Sequence, residues 1–402
     1  MASIQSRNWQ VILPACLLIA ILPLTHTVAL RLTLLAATLA VAIRAWLQEP
    51  RSPVPARGFL LVWAAIAVAS LAWSSDPEYS RGEVINEIGY SMLAYFSLFA
   101  LARGEDELRR LILALLVMVG LASAFAIGNF LWFGNWIVGE SIGIGDRNAF
   151  STTISLASVA LMFVLANRRV SPVPPLVVWF VLALGLVAAS ITLNRTMWPA
   201  LGAAAIVFLL AHNAHRLGTP RNRLIAVPLV VLIAAISTSQ FFLASTIKRT
   251  ERSASVGVVT TVMQDERIPI WSYALQRATD RPLYGYGYGR GILRKDFRER
   301  IGDKLAWHAH NAFLNQAISV GIPGLAAFCL MLTALGAAFG RLIREPDSLT
   351  RSLGAFGLAL LACMIVRSLA DDTIVRENAL LFWSLTGMAL GVGTRRIGND
   401  RR

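Results

Sequence analysis

Two histidines in the segment His308-Ala309-His310-Asn311 give the strongest local signal for chemistry in the sequence. A zinc site needs at least three protein ligands, and the remaining histidines and the three cysteines form no motif with metal-ligand spacing. A histidine titrates near neutral pH and is suited to proton transfer. We therefore predict that His310 transfers a proton, that His308 and Asn311 support it, and that neither a metal nor another cofactor takes part. The alternative is two histidines whose nitrogens are satisfied by backbone groups.

Arg195 lies in the short turn Leu193-Asn194-Arg195-Thr196 between two apolar segments. An ionisable side chain so close to the hydrocarbon is costly and usually functional, although a long arginine can also serve as an anchor that reaches out of the membrane. Its planar guanidinium can bind a phosphate through two parallel hydrogen bonds. The turn therefore predicts a phosphate-binding arginine.

Three further arginines are weaker candidates. Arg267 either binds phosphate as well or pairs with Glu266, and Arg147, in Gly145-Asp146-Arg147-Asn148, offers similar chemistry. Arg290 ends the glycine-rich segment Tyr284–Arg290, which follows no clear strand and opens no evident helix, so the segment does not predict a dinucleotide site. We interpret it as a loop whose backbone can approach a ligand closely.

Arg367 and the acids Asp371 and Asp372 lie at the end of an apolar segment. The spacing of Arg367 and Asp371 is typical of an ion pair across one helical turn. Alternatively, one of the two acids orients His310 and stabilises its protonated form. Both interpretations are kept open.

Familiar nucleotide and hydrolase motifs are missing from the sequence. It contains no GxxxxGK[ST], no GxSxG and no HExxH. ATP hydrolysis by this chain is therefore not expected.

The composition places these residues in a membrane protein. Of 402 residues, 56% are hydrophobic and 15% are charged, whereas a soluble domain has about 25% charged residues. The net charge of +14 accompanies no basic module of the kind that binds nucleic acid. The apolar blocks approach the roughly 20 residues that span a bilayer, so we predict an all-α, polytopic transmembrane protein.

About twelve spans are predicted. Residues 1–243 hold the first nine spans, 244–309 form one large polar loop, and 310–402 hold a short broken segment and the last three spans. The predicted spans are Val11–Leu24, Ala29–Leu47, Phe59–Trp73, Val84–Ala102, Leu111–Phe133, Phe150–Ala166, Leu176–Leu193, Met197–Ala211, Leu224–Phe242, Pro323–Phe339, Leu353–Leu369 and Ala379–Val392.

The basic residues of the short loops predict the orientation. With a cytoplasmic N-terminus, every inward loop is rich in arginine, and the short outward loops carry few. Both termini are then cytoplasmic, and the basic loop 244–309 faces outward. The apolar run His310–Gly321 is too short to span and is broken by Gly-Ile-Pro-Gly (321–324). Such a run is typical of a re-entrant segment beside a wet cavity, which places His310 at its outer mouth.

The sequence resembles the O-antigen ligase family, within a superfamily of ligases and polymerases. His310-Asn311, nine residues, Gly321, two residues and Gly324 match a pattern typical of the ligases, and Arg195 and Arg267, the latter four residues before Trp271, match recurring arginines. The predicted topology, with one large periplasmic loop late in the chain, fits as well. The sequence departs from the family where Pro199 stands four positions after Arg195 instead of the usual leucine.

The resemblance implies a GT-C-like glycosyltransferase of the bacterial inner membrane that works in lipopolysaccharide biosynthesis. The donor would be a glycan on undecaprenyl pyrophosphate, and the acceptor a sugar hydroxyl of lipid A–core, at the periplasmic face. His310 would be the base, Arg195 and Arg267 would bind the donor pyrophosphate, and neither ATP nor metal would be needed. Fixed arginines there would also stabilise the charge of the leaving group.

Other functions stay open at this point. The superfamily also contains O-antigen polymerases and protein O-oligosaccharyltransferases, which would use a different acceptor. A transporter of an anionic substrate is the alternative from another class, and transporters usually show paired broken helices near the membrane midplane. The sequence predicts one broken helix, at the outer face, which favours the transferase.

Overall fold

The structure, a computed structural model, describes residues 2–48, 53–133, 143–144, 146–213, 228–240, 267–302 and 307–400. Within these ranges the chain is helical without strands, which confirms the predicted all-α class, and one isolated β-bridge joins Leu24 to Ile144. The helices are α1 (Ala2–Ile21), α2 (Val28–Gln48), α3 (Arg57–Ala69), α4 (Pro77–Leu101), α5 (Glu105–Phe133), α6 (Arg147–Ala166), α7 (Pro175–Ile191), α8 (Met197–His212), α9 (Pro228–Gln240), α10 (Arg267–Asp280), α11 (Arg294–Ile301), α12 (Ala312–Ile343), α13 (Ser348–Ser368) and α14 (Arg376–Asp400).

Six of the described helices are long and apolar enough to cross a membrane: α2, α4, α5, α6, α12 and α13. Shorter apolar stretches occur at Gln10–Ile21, at Arg57–Ala72 and in α7, α8 and α9. The chain is therefore a multi-pass helical membrane protein. Each predicted span overlaps one helix over its described residues, and the ends of Leu224–Phe242 lie outside them. The count of about twelve crossings stays a prediction.

Among the six candidate spans, α6 and α13 are the most enclosed. In α6, 78% of the most apolar window is buried, against 22% in α2. Helix α13 packs against α6, α8 and α12, and α14 packs against α4, where the rings of Tyr95 and Trp383 lie 5.7 Å apart. Helices α6 and α13 are thus fixed by surrounding protein, which allows them to hold side chains in one position.

Contacts between loops divide the bundle into two ends. At the predicted outward end, Trp73 Nε1 donates to the carbonyl of Tyr284 at 2.7 Å. At the predicted inward end, Arg396 bonds both Asp347, at 2.9 Å, and Glu105, at 3.0 Å. Loops that are predicted to lie on the same side of the membrane therefore contact one another at the same end of the bundle. The assignment of one end to the periplasm stays a prediction.

Helix α12 is broken at Gly321, as the Gly-Ile-Pro-Gly motif predicts. Gly321 has φ 70° and ψ −174°, a backbone conformation that is essentially restricted to glycine. The carbonyls of Ile318 and Ser319, which lose their helical partners at the break, accept hydrogen bonds from the N–H groups of Tyr286 and Gly287 at 2.9 Å each. The large loop is thereby attached to the interrupted helix.

The glycine-rich segment Tyr284–Arg290 packs against protein backbone in the described structure. A Cβ at Gly285 would lie 2.5 Å from the carbonyl oxygen of Ile318, and one at Gly287 would lie 2.1 Å from Ser74 Oγ. The expected close approach is present, but the groups approached are the broken helix and the loop before α4. Its role is therefore to fix the large loop, of which residues 244–266 and 303–306 lie outside the described ranges.

We predict that Gly321→Ala lowers the thermal stability of the protein. A Cβ there would lie 2.7 Å from the carbonyl carbon of Leu283, and the backbone strain alone costs about 1–3 kcal/mol. Gly336→Ala is the matched control, because it lies in the same helix and meets only Leu361 at 3.9 Å. Melting temperatures measured in detergent should fall for the first variant and not for the second. Equal melting temperatures would contradict the proposed strain.

Candidate active site

The structure brings His310 and Asp371 together from two different loops. His310 Nδ1 lies 3.3 Å from Asp371 Oδ1, and the His310 side chain is 27% exposed, so a ligand can reach it. His310 has φ 48°, a left-handed conformation that few non-glycine residues adopt and that is concentrated at functional sites. The acid predicted to accompany His310 is therefore Asp371, and Asp372 has other contacts.

The ionisation of Asp371 selects the tautomer of the His310 ring. Burial would raise the pKa of Asp371, but the hydrogen bond with His310 and the charges of His308 and His310 outweigh it and hold the pKa at about 2. The carboxylate is then an acceptor only at neutral pH, so His310 Nδ1 must donate. In the neutral ring the lone pair is left on Nε2, which is the nitrogen able to accept a proton.

His308 lies against His310 and completes a group of possible metal ligands. The two ring centroids are 3.9 Å apart, and the buried His308 accepts a hydrogen bond at Nδ1 from the backbone N–H of His310 at 3.0 Å. Burial, then the charge of His310, lower the pKa of His308 well below its usual value. His308, His310 and Asp371 place possible ligand atoms within 4.8 Å of one another. The fold therefore adds to the two histidines the third possible metal ligand that the sequence motif lacks. Hydrogen bonds engage His308 Nδ1, His310 Nδ1 and Asp371 Oδ1, and the absence of a metal from the reaction stays a prediction.

Asn311 and Asn315 hold the loop of His310 in place. Asn311 caps α12, because its Oδ1 accepts from the N–H groups of Phe313 and Leu314, and its Nδ2 donates to the carbonyl of Leu369 at 3.0 Å. Asn315 accepts from the N–H of Ala309 at 3.1 Å and donates to Asp372 Oδ2 at 2.8 Å. Both amides therefore join the histidine loop to the loop that carries the acids.

Asn148 is the centre of the hydrogen-bond network around the acid. Its Nδ2 donates to Asp371 Oδ2. Its Oδ1 accepts from Asn194 Nδ2 at 2.7 Å and from Arg367 Nη2 at 2.9 Å. Asn148 thus joins the acid, the turn before α8 and the buried arginine of α13.

Of the two interpretations kept open for Arg367 and Asp371, the ion pair is not formed in the described structure. The side chain of Arg367 bonds Asn148 and, at 3.2 Å, Ser151 Oγ, whereas Asp371 bonds His310 and Asn148. The two side chains share one helical turn, but Asp371 turns toward the histidine and the amide lies between them. Asp371 therefore does not serve as the ion-pair partner of Arg367.

Arg195 and Arg267 lie near this network, at the end of the bundle that is predicted to face outward. Thr196 donates to Asn194 Oδ1 through its hydroxyl at 2.8 Å, which fixes the turn that presents the half-buried Arg195. Arg267 begins α10, and its charge lies within electrostatic reach of Arg367. Glu266, the expected alternative partner of Arg267, lies outside the described residues. The turn of Arg195 is joined to Asp371 through two amides.

Arg290 lies beside the second acid. Its guanidinium is 5.0 Å from the centre of the Trp307 ring, and with Glu87, Asn315 and Asp372 it lines a cavity of about 10 Å³. This volume holds about one water molecule. Burial raises the pKa of Asp372 above its usual value, although Arg290 and Asn315 oppose the shift. The positive charge of Arg290 therefore partly offsets the negative charge of the buried acids Glu87 and Asp372.

Arg147 has a less direct relation to the site. It is the first residue of α6 after the cap Asp146, which accepts from the N–H groups of Asn148 and Ala149. Within the described structure, the buried Nε of Arg147 has no hydrogen-bond partner. It is the next residue, Asn148, that enters the network of Asp371.

The amides Asn148, Asn194 and Asn315 were missed by the sequence reasoning. An asparagine has no charge and no characteristic spacing, and Asn148 is separated from Asp371 by 223 residues. The sequence held one signal, which was their position. Asn148 and Asn194 each lie next to an arginine predicted to bind phosphate, at the start or end of a predicted span. Uncharged polar residues at the predicted outward ends of the helices thus belong to the network as well as the charged ones.

Comparison with known proteins adds one match. Residues 180–329 match the family model described as O-antigen ligase, a stretch that contains Arg195, Arg267, Arg290 and His310 and ends before the acids. No curated protein matches the chain. The match confirms the resemblance predicted from the sequence: residues 180–329 of the chain are similar to the O-antigen ligase family.

Proposed function

We propose that the chain is an O-antigen ligase that transfers a glycan from undecaprenyl pyrophosphate to a sugar hydroxyl of lipid A–core. The observation that carries the proposal is the pairing of His310 Nδ1 with an ionised Asp371 at 3.3 Å, at the end of the bundle that also presents Arg195 and Arg267. This arrangement supplies a base for a hydroxyl beside cations for a diphosphate. The reaction would take place at the periplasmic face of the inner membrane, in a GT-C-like protein of about twelve spans.

His310 would act as the general base. Its Nε2 accepts the proton of the acceptor hydroxyl while the hydroxyl oxygen bonds to the anomeric carbon of the donor sugar. The bond from that carbon to the pyrophosphate oxygen breaks, and undecaprenyl pyrophosphate leaves with the electron pair. Asp371 stabilises the imidazolium that forms, as an acid does in a catalytic triad.

Arg195 and Arg267 would hold the pyrophosphate. Negative charge grows on the leaving group during the transfer, so cations fixed in position before the reaction stabilise the transition state. Arg195 lies on a turn fixed by hydrogen bonds of Asn194, and Arg267 lies at the start of a helix. Neither ATP nor a metal is required in this scheme, because the donor already carries its leaving group.

The test is transfer by the purified protein without ATP. The protein, in detergent or nanodiscs, would be incubated with a glycan on undecaprenyl pyrophosphate and, separately, with lipid A–core, with a second lipid-linked glycan or with an acceptor peptide. Mass spectrometry of the products identifies a ligase, a polymerase or a protein glycosyltransferase. Transfer to lipid A–core supports the proposal, and transfer to another acceptor alone contradicts it.

We predict that Arg195→Lys and Arg267→Lys each reduce transfer by about tenfold or more. Lysine keeps the charge but loses the planar fork that binds phosphate with two hydrogen bonds, and hydrogen bonds to charged groups contribute about 1.5–3 kcal/mol. Arg277→Lys is the control, because Arg277 lies in the same loop and pairs with Asp296 at 2.7 Å. Full activity in both of the first two variants would exclude bidentate phosphate binding.

A further inference from the structure

Arg367 is a buried cation with most of its guanidinium unused. The side chain is fully buried, and its contacts are made through Nη2, to Asn148 and Ser151. Within the described structure, Nε and Nη1 have no hydrogen-bond partner. Buried polar groups are nearly always paired, and an orphaned one requires an explanation.

The charge of Arg367 is also poorly balanced. Asp371 lies within electrostatic reach, but so does the positive charge of Arg267, and the oxygens of Asp371 are occupied by His310 and Asn148. A contrast is Arg31, at the same end of the bundle, whose guanidinium lies 3.3 Å from Glu377 with a side-chain exposure of 12%. Arg31 has the carboxylate that a buried arginine normally has, whereas among the described residues no carboxylate forms a salt bridge with Arg367.

A buried charge of this kind works against folding. Replacement of buried ionic groups by apolar residues of similar volume is often neutral or stabilising. A group that costs stability and is nevertheless present at an active site is typical of function, because activity and stability are commonly in conflict there. The unbalanced charge therefore indicates an anion that is absent from the folded protein alone.

We propose that Arg367 is a third cation of the diphosphate site, whose Nε and Nη1 donors are kept for a bound diphosphate. This rests on the proposed function, which places Arg195 and Arg267 at a diphosphate and names the lipid-linked donor as its natural source. Arg267 and Arg367 then lie on either side of one anion, whose arrival removes their mutual repulsion. The contact of Arg367 with Asn148 joins the same anion to the base, because Asn148 bonds Asp371.

The inference is tested by stability and anion binding measured on the same variants. The purified full-length protein would be titrated with inorganic pyrophosphate by calorimetry, and its melting temperature would be recorded without ligand. Arg367→Met should melt at the same temperature as the original protein or higher, and should lose about tenfold or more of its pyrophosphate affinity. Arg367→Lys, which keeps the charge, should lose less affinity than the methionine variant.

Arg31→Met is the matched control. It removes the partner of Glu377, so its melting temperature should fall while its pyrophosphate affinity is unchanged. The inference is overturned if Arg367→Met binds pyrophosphate as the original protein does, if it melts lower or does not fold, or if the original protein does not bind pyrophosphate. Glycan transfer by the original protein tests the proposed function separately. Transfer can succeed even if Arg367 does not contribute to pyrophosphate binding, and Arg367 can contribute to pyrophosphate binding even if no glycan is transferred.

Discussion

His310→Ala is expected to reduce glycan transfer by about 100- to 10,000-fold, the usual contribution of a general base. Because Nδ1 of His310 is engaged by Asp371 at 3.3 Å, Nε2 is the nitrogen left to accept a proton. Without the imidazole, the acceptor hydroxyl keeps its proton while it attacks, which makes it a poor nucleophile. The measurement is the initial rate of transfer to lipid A–core, with the amount of folded protein checked by gel filtration.

The backbone at His310 calls for a second variant. Alanine is disfavoured at φ 48°, so loss of activity in His310→Ala has a conformational component, whereas asparagine tolerates this region. His310→Asn should therefore fold as the original protein does and be as inactive as the alanine variant. His212→Ala is a control at the opposite end of the bundle, where His212 contacts Ser352. Near-normal activity in well-folded His310→Ala protein would reject the assignment and make His308 the next candidate.

Asp371→Asn is expected to reduce the turnover rate by about 100- to 10,000-fold with a small effect on the apparent affinity for donor. The amide cannot stabilise the imidazolium, and it permits the wrong tautomer of the ring, which is the damage seen when the acid of a catalytic triad is replaced by its amide. Rates at saturating and at limiting donor separate the two parameters. A loss confined to donor affinity would show that Asp371 acts on binding instead of on the base.

Two comparisons separate the role of Asp371 from its neighbours. Asp372→Asn should have a smaller effect, because Asp372 bonds Asn315 and not the histidine. The double variant Arg367→Leu/Asp371→Leu should be at least as inactive as the loss of Asp371 alone, because the two side chains are not paired. Recovery of activity in the double variant would support the interpretation of Arg367 and Asp371 as a structural ion pair. Asp371 would then not be the acid that assists the base.

The ends of the helices were predictable from the sequence, and the contacts between them were not. The alternation of apolar blocks with arginine-rich loops assigned His310, Arg195 and Asp371 to one end of the bundle. Gly321 and Pro323 located the break in α12, since their backbone requirements are local. These features depend on residues close in sequence.

The choice of Asp371 over Asp372 required the fold. Both acids follow the same helix, and which of them turns toward His310 depends on Asn148 and Asn315, two amides from other helices. The unpaired state of Arg367 was hidden for the same reason, because the helical spacing to Asp371 favours an ion pair and the competing partner is remote in the chain. The glycine-rich segment was likewise interpreted without its neighbours, Ser74 and Ile318.

The hydrogen bond between His310 and Asp371 has a consequence for biogenesis. The two residues are 61 positions apart, with α12 and α13 between them, and Asn148 was synthesised long before either. The proposed base is therefore complete only after the translocon has released the chain beyond Asp371 and the late helices have docked on the early ones. A partly inserted polypeptide holds its histidine without its acid, so we expect the nascent protein to be inactive in the proposed transfer until insertion is nearly finished.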